Sequence, residues 1–164
     1  MATPRSKLSA GILLYRLGSG DVPSGGLEVL LGHMGGPFWS RKDAGAWTIP
    51  KGEHDLDEDP LDAAKREFRE EIGIPVPASS FLPLGSVRQS GGKIVTVWAA
   101  RGDLDATATV SGSFTMEWPP RSGVLREYPE LDRTAWLPPD RARELVIRAQ
   151  ATFVDRLLAA LGAA

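Results

Sequence analysis

The sequence predicts an α/β (α+β) domain, a mixed β-sheet with a helix on each side, and three observations predict it. Two stretches of strand formers open the chain, a helix with clear start and stop signals follows, and an amphipathic pattern runs along the C-terminal end. The 164 residues suit one globular domain, 1–164, with a single core.

Leu8 to Arg16 and Leu27 to Gly32 are strand candidates, and the Gly/Ser/Pro stretch Gly18 to Gly26 between them makes the pair a hairpin. Met34 to Ala46 is irregular and long for a connection, as binding loops often are. The strongest helix runs from Pro60 to Ile72. Asp59 can cap it, Pro60 suits the first helical position, Asp62 favours the dipole, and Gly73 with Pro75 ends it. Phe81 to Arg88 and Lys93 to Ala100 read as strands around a Ser90–Gly92 turn, Ala106 to Val110 as another, and Arg133 to Leu137 as a short one. From Asp140 to Leu161, Leu145, Ala149, Phe153 and Leu157 recur at helical spacing, which predicts one C-terminal helix capped by Asp140.

Composition narrows the chemistry. With 19 Lys plus Arg against 21 Asp plus Glu, the net charge of -2 gives no general attraction for nucleic acid or an anionic membrane. The absence of cysteine excludes disulfides, thiolate nucleophiles and Cys-ligated zinc. Two histidines, His33 and His54, read as surface or loop residues and leave little for a histidine base or metal cage. The apolar run Leu8 to Leu14 is too short to span a membrane and does not form a signal peptide, so a cytoplasmic location is expected. Carboxylates are left as the chemical groups.

They concentrate on the central helix. At about 100° per residue, Glu67, Glu70 and Glu71 share one sector with the small Ala63, while Leu61, Ala64, Phe68 and Ile72 form an apolar sector beside it. Like charges this close destabilise a helix, so something positive is expected among them. Mg²⁺ or Mn²⁺ fits, because hard divalent ions take oxygen ligands and leave positions for water and phosphate.

The segment Gly52 to Ile74 is identified as a match to the Nudix box: a glycine, five residues, Glu, seven residues, Arg-Glu, an apolar residue, any residue, Glu-Glu, any residue, Gly and an apolar residue. Here these are Gly52, Glu58, Arg66, Glu67, Phe68, Glu70, Glu71, Gly73 and Ile74. At ordinary residue usage, seven fixed identities coincide on the order of once in 10⁸ to 10⁹ starts, so chance is a poor explanation. The resemblance implies the Nudix fold, an α/β/α sandwich around a mixed sheet containing the box helix and a C-terminal helix. It also implies Glu70 and Glu71 as metal ligands, Glu67 as a further ligand or the base, the Gly52 carbonyl as a ligand, and Arg66 with Glu58 holding the carboxylates in place. The chemistry it implies is attack of water on a phosphoanhydride, with cations neutralising the phosphates.

Trp47-Thr48-Ile49-Pro50-Lys51-Gly52 and Ser9 to Arg16 resemble the matching stretches of the diadenosine-tetraphosphate hydrolase branch. That resemblance points to a dinucleoside polyphosphate as the nucleotide-type substrate. Lys51 would stand beside the phosphates and Trp47 would stack on a base, unless Trp47 is a core anchor. Some relatives of that branch carry a tyrosine where this chain has Ser90-Gly91-Gly92. Phe38, Trp39, Arg41 and Lys42 suit a grip on a base and a distal phosphate, or a loop pinned by two aromatics. Glu117 is a candidate carboxylate from outside the box, for a second metal or as base, or an ordinary strand-end glutamate. Tyr128, Pro129 and Glu130 are a possible pocket edge.

Three rivals stay open. One is a MutT-like pyrophosphatase that clears nucleoside triphosphates, and another is a catalytically silent Nudix domain that binds a nucleotide or a protein. The third, an RNA 5′-end processing enzyme, needs a path for a polyanion that the charge balance argues against. The C-terminal helix also suits a dimer interface, although packing on its own sheet explains the same stripe.

Overall fold

The computed structural model describes residues 7–18 and 26–162. Among the described residues nine strands form: β1 (Leu8–Leu17), β2 (Leu27–Met34), β3 (Trp47–Thr48), β4 (Lys51–His54), β5 (Leu82–Arg88), β6 (Ile94–Arg101), β7 (Ser113–Glu117), β8 (Leu125–Pro129) and β9 (Leu131–Leu137). Three α-helices accompany them among the described residues, α1 (Pro60–Ile72), α2 (Pro139–Leu145) and α3 (Ala151–Ala160). The main sheet runs β3-β2-β1-β6-β5, with β4 added on β1 and β9 on β2. It is mixed, because β1 is parallel to β6 and antiparallel to β2 and β4.

The stretch Ala10 to Leu14 of β1 is apolar and buried throughout because both faces of the strand are covered there. Ala10, Ile12 and Leu14 pack with Ala63, Ala64, Phe68 and Ile72 of α1. Leu13 points the other way, into a cluster with Val97, Leu145, Phe153 and Leu157 beneath α2 and α3. The result is the α/β layering that the sequence predicts. The predicted hairpin is present, with Tyr15 to Leu17 paired to Val29 to Leu27; most of its connection lies outside the described residues.

Four expectations are corrected. The C-terminal segment is two helices, not one, and Pro138 occupies the cap position assigned to Asp140. The chain extends at Val146 and Ile147, where the Ile147 N–H donates to the Trp47 carbonyl at 2.8 Å. The buried Gln150 side chain then accepts the Ile49 N–H at 2.8 Å. These bonds stitch the segment to β3, and the apolar period carries across the break because both helices face the same cluster. Ala106–Ala108 is a short 3-10 turn rather than a strand, with Asp105 accepting the Thr107 N–H at 2.9 Å. His33 is fully buried on β2 instead of lying at the surface. Its Nδ1 faces Asp132 at 3.0 Å and its Nε2 the Lys42 carbonyl at 2.6 Å. Finally, β7 and β8 form a two-stranded ribbon apart from the main sheet, an element the sequence reading leaves out.

Candidate active site

The box helix starts and stops where its sequence signals say. Asp59 accepts the Asp62 N–H at 3.0 Å, and Gly73 closes the helix at φ 91°, a left-handed conformation that glycine adopts without strain. Two C-terminal carbonyls that a helix leaves unpaired are satisfied from outside: Gly112 N–H donates to Glu70 and Val110 N–H to Ile72, both at 2.9 Å.

With the apolar face of α1 fixed on the sheet, its carboxylates face strand β4. Glu71 is 7% exposed and accepts the Lys51 backbone N–H at 3.0 Å. Glu67 lies directly over Gly52, where a Cβ would run into its carboxylate. Glycine at 52 therefore provides a cradle for that group. Arg66 ties the acids together. Its Nε and Nη2 donate to the two Glu58 oxygens at 3.1 Å each, and Nη1 donates to Glu67 at 2.8 Å and more weakly to Glu70 at 3.5 Å. The fork on Glu58 is bidentate, which fixes the plane of the guanidinium as well as its position.

The site is short of positive charge. Burial pushes the Glu71 carboxyl up to about 8, with Glu130 and Glu67 adding repulsion against the Lys51 N–H and ammonium. Burial also raises Glu67, followed by the charge of Glu70, although Arg66 opposes it. The Lys51 ammonium is lowered, first by burial and then by Lys93, against the attraction of Glu71, Glu53 and Glu67. Lys93 itself stands 3.7 Å from Glu53. A cavity of about 1070 Å³ opens beside the box loop, with Lys7, Glu53, His54, Glu58 and Arg66 in its lining.

The donors fit a hard divalent cation: several carboxylates, two of them raised by burial and mutual repulsion, and only oxygen ligands. Among the described residues no three His, Cys, Asp or Glu side chains stand ready to hold a metal. Arg66 draws Glu67 and Glu70 to itself while Glu71 turns to the Lys51 N–H.

The remaining predicted residues are placed differently. Trp47 is 5% exposed within the cluster under α2 and α3, donating its indole N–H to Asp43 at 2.8 Å. Of its two readings it takes the core anchor, and it offers no free face to a base. Phe38 and Trp39 meet edge to face at 4.8 Å, with the Lys42 ammonium 3.5 Å from the Phe38 centroid. Arg41 is exposed on the same loop. Glu117 lies at the far end of β7, and the acid from outside the box whose charge acts on Glu67 and Glu71 is Glu130. By sequence Glu130 reads as a pocket edge and Glu117 takes the carboxylate role, because the return of the ribbon to β9, which no spacing in the sequence shows, is what brings Glu130 to the box.

A model of the NUDIX domain matches residues 7–157. No curated protein matches the sequence. Among solved structures, the binary complex of the C. elegans Ap4A hydrolase is similar with a TM-score of 0.64 and 22% identity, over 94% of this chain and 98% of that one. A Nudix hydrolase from M. smegmatis is similar with a TM-score of 0.56 and 24% identity, over 94% and 84%. The NUDIX domain of Shewanella oneidensis NrtR, complexed with ADP ribose, has a TM-score of 0.64 and 14% identity, over 97% and 90%. At these identities the likeness is one of fold.

Proposed function

We propose that this chain, a member of the NUDIX domain family, hydrolyses pyrophosphate bonds and cleaves a dinucleoside polyphosphate such as diadenosine tetraphosphate with Mg²⁺ as cofactor. The observation that carries this reading is the crowding of Glu67 and Glu71 against Gly52 and the Lys51 N–H, with Glu70 and Glu130 adding charge. Such a group is costly unless a cation and an anionic substrate share it.

Glu67, Glu70 and Glu71, with the Gly52 carbonyl, would hold the metal. Bound there, Mg²⁺ or Mn²⁺ supplies charge neutralisation of the bridging phosphates, polarisation of the P–O bond and activation of water. The chain's own residues do the rest. Arg66, held by Glu58, positions Glu67 and Glu70. Lys51 and Lys93 put ammonium charge beside the phosphates. Glu130, rather than Glu117, is the carboxylate from outside the box whose charge acts on Glu67 and Glu71.

The substrate class is supported by the stretch Trp47 to Gly52 and, at the level of fold, by the likeness to the C. elegans Ap4A hydrolase. In this chain that stretch acts as a scaffold. Trp47 anchors it in the core, the Pro50 carbonyl accepts the Ile12 N–H at 3.2 Å, and Lys51 donates its N–H to Glu71. The test is incubation with Mg²⁺ and a panel of diadenosine tetraphosphate, nucleoside triphosphates, 8-oxo-dGTP and ADP-ribose, with products separated by chromatography. ATP plus AMP from the first compound, lost on adding EDTA, is the expected result. A monophosphate plus diphosphate from triphosphates alone would favour the housecleaning enzyme, and tight nucleotide binding without turnover would favour the silent domain.

A further inference from the structure

We infer that the inner face of the β7–β8 ribbon, centred on Phe114 and Tyr128, is a platform for a nucleobase of the substrate, a step that rests on the reading of the chain as a nucleotide pyrophosphohydrolase. The root of the ribbon is built into the site. Gly112, one residue before β7, donates its N–H to the Glu70 carbonyl at 2.9 Å. Glu130, one residue after β8, donates its N–H to the Gly112 carbonyl at 2.8 Å and accepts the Gly35 N–H at 2.9 Å. The ribbon, the box helix and the loop from Gly35 to Ala46 thus meet at one point, and the charge of Glu130 is felt at both Glu67 and Glu71.

Register decides which side chains face inward. Phe114 is paired with Tyr128 and Met116 with Arg126, so these four share one face. Phe114, Met116 and Tyr128 are half-buried, whereas Ser113, Thr115, Glu117, Leu125 and Glu127 on the other face are exposed. The two rings lie 6.1 Å apart at a tilt of 39°. Across from them Gly36 faces the Phe114 ring, where a Cβ would come within 3.0 Å of its edge.

Packing alone gives no reason for these rings. Neither belongs to either hydrophobic cluster of the sheet. Arg126, on the same face, has no hydrogen bond or ion pair to an acid among the described residues. Distance favours a ligand: Tyr128 is two residues from Glu130, about 7 Å along a strand, which is the reach of one ribose from a phosphate at the carboxylates. A half-exposed pair of aromatic rings next to the exposed Arg126 guanidinium, one nucleoside away from a polyphosphate site, has the chemistry to stack a planar base.

The test compares Kd, by calorimetry in Mg²⁺, for a methylene-bridged, non-hydrolysable diadenosine tetraphosphate and for inorganic tripolyphosphate. Wild type should prefer the adenosine-bearing ligand. Tyr128→Leu and Phe114→Leu should each shrink that preference about tenfold, the order expected for one stacked base, with tripolyphosphate binding unchanged. Tyr128→Phe, which keeps a ring, should retain it. The inference is overturned if wild type shows no preference, if the leucine variants keep it, or if both ligands weaken together. Turnover is read separately: base preference without hydrolysis of any nucleotide would sink the proposed reaction and leave the platform standing.

Discussion

Substituting Gly52→Ala tests the site through a single methyl group. Gly52 sits in the ladder between β4 and β1, paired with Ala10, and no positive φ demands glycine there. The backbone accepts alanine, and the loss of unfolded-state freedom would by itself stabilise the protein by about 0.4–1 kcal/mol. The methyl group, however, occupies the place of the Glu67 carboxylate. To restore van der Waals contact the carboxylate must retreat by about 1 Å or more, breaking the 2.8 Å bond to Arg66 or dragging it away from Glu58. A side chain with free rotamers accepts that displacement at small energetic cost, whereas catalysis does not: a misplacement of about 1 Å is worth about 10²-fold in rate.

The expected pattern is a Tm within a few degrees of wild type and a kcat about a hundredfold lower in Mg²⁺. A double-mutant cycle adds the decisive control. If the methyl acts by displacing Glu67, then Gly52→Ala and Glu67→Gln should be strongly non-additive, the second removing little that the first has left. Full activity in Gly52→Ala, or rate losses that simply multiply in the double variant, would refute the cradle.

The remaining predictions draw on other parts of the structure. The Glu71 carboxyl is raised to about 8 from an ordinary 4.5, so its contribution to metal-free stability is complete below about 4.5 and is lost as pH rises through 8. Urea melts in EDTA from pH 5 to 8.5 should therefore fall with a slope approaching at most about 1.4 kcal/mol per pH unit from this group, and Glu71→Gln should flatten it. Arg66→Lys removes the bidentate fork on Glu58 and should lower kcat by about 10- to 100-fold with little change in Tm. Gln150→Leu leaves the buried Ile49 N–H without its 2.8 Å acceptor and should cost about 1–3 kcal/mol in denaturant unfolding, with kcat held if β3 keeps its place.

What the sequence made legible was local. The limits of α1 follow from Asp59, Pro60 and Gly73, whose effects act within a turn or two, and they are the observed limits. β1 and β6 are likewise legible as runs of strand formers, and their observed ends fall within one residue of the expected ones. The C-terminal break was hidden because the hydrophobic period spans it. The bonds at the break, from Ile147 to Trp47 of β3 and between Gln150 and Ile49 just after it, join residues about a hundred positions apart. The ribbon carries a readable alternation, Phe114 and Met116 against Ser113, Thr115 and Glu117, but a single short strand does not name its partner, and β8 shows no such alternation.

The candidate site divides along the same line. The box spacing names Glu67, Glu70, Glu71 and Arg66 because one helix sets their relative positions, and the guanidinium contacts follow from neighbours on that helix and from Glu58 just before it. What no spacing supplies is the environment that sorts these acids. Glu70 and Glu71 are adjacent in sequence, yet only Glu71 turns into the gap between α1 and β4, where burial raises its pKa and the Lys51 N–H receives it. That gap exists because β1 passes beneath: Gly11 lacks the side chain that would collide with the Pro50 carbonyl at 2.6 Å, so the strand end carrying Lys51 and Gly52 lies flat against it. Glycines at 11 and 52 thus shape two walls of the carboxylate site from outside the box helix, and a side chain at either position would act on the acids without changing one of them.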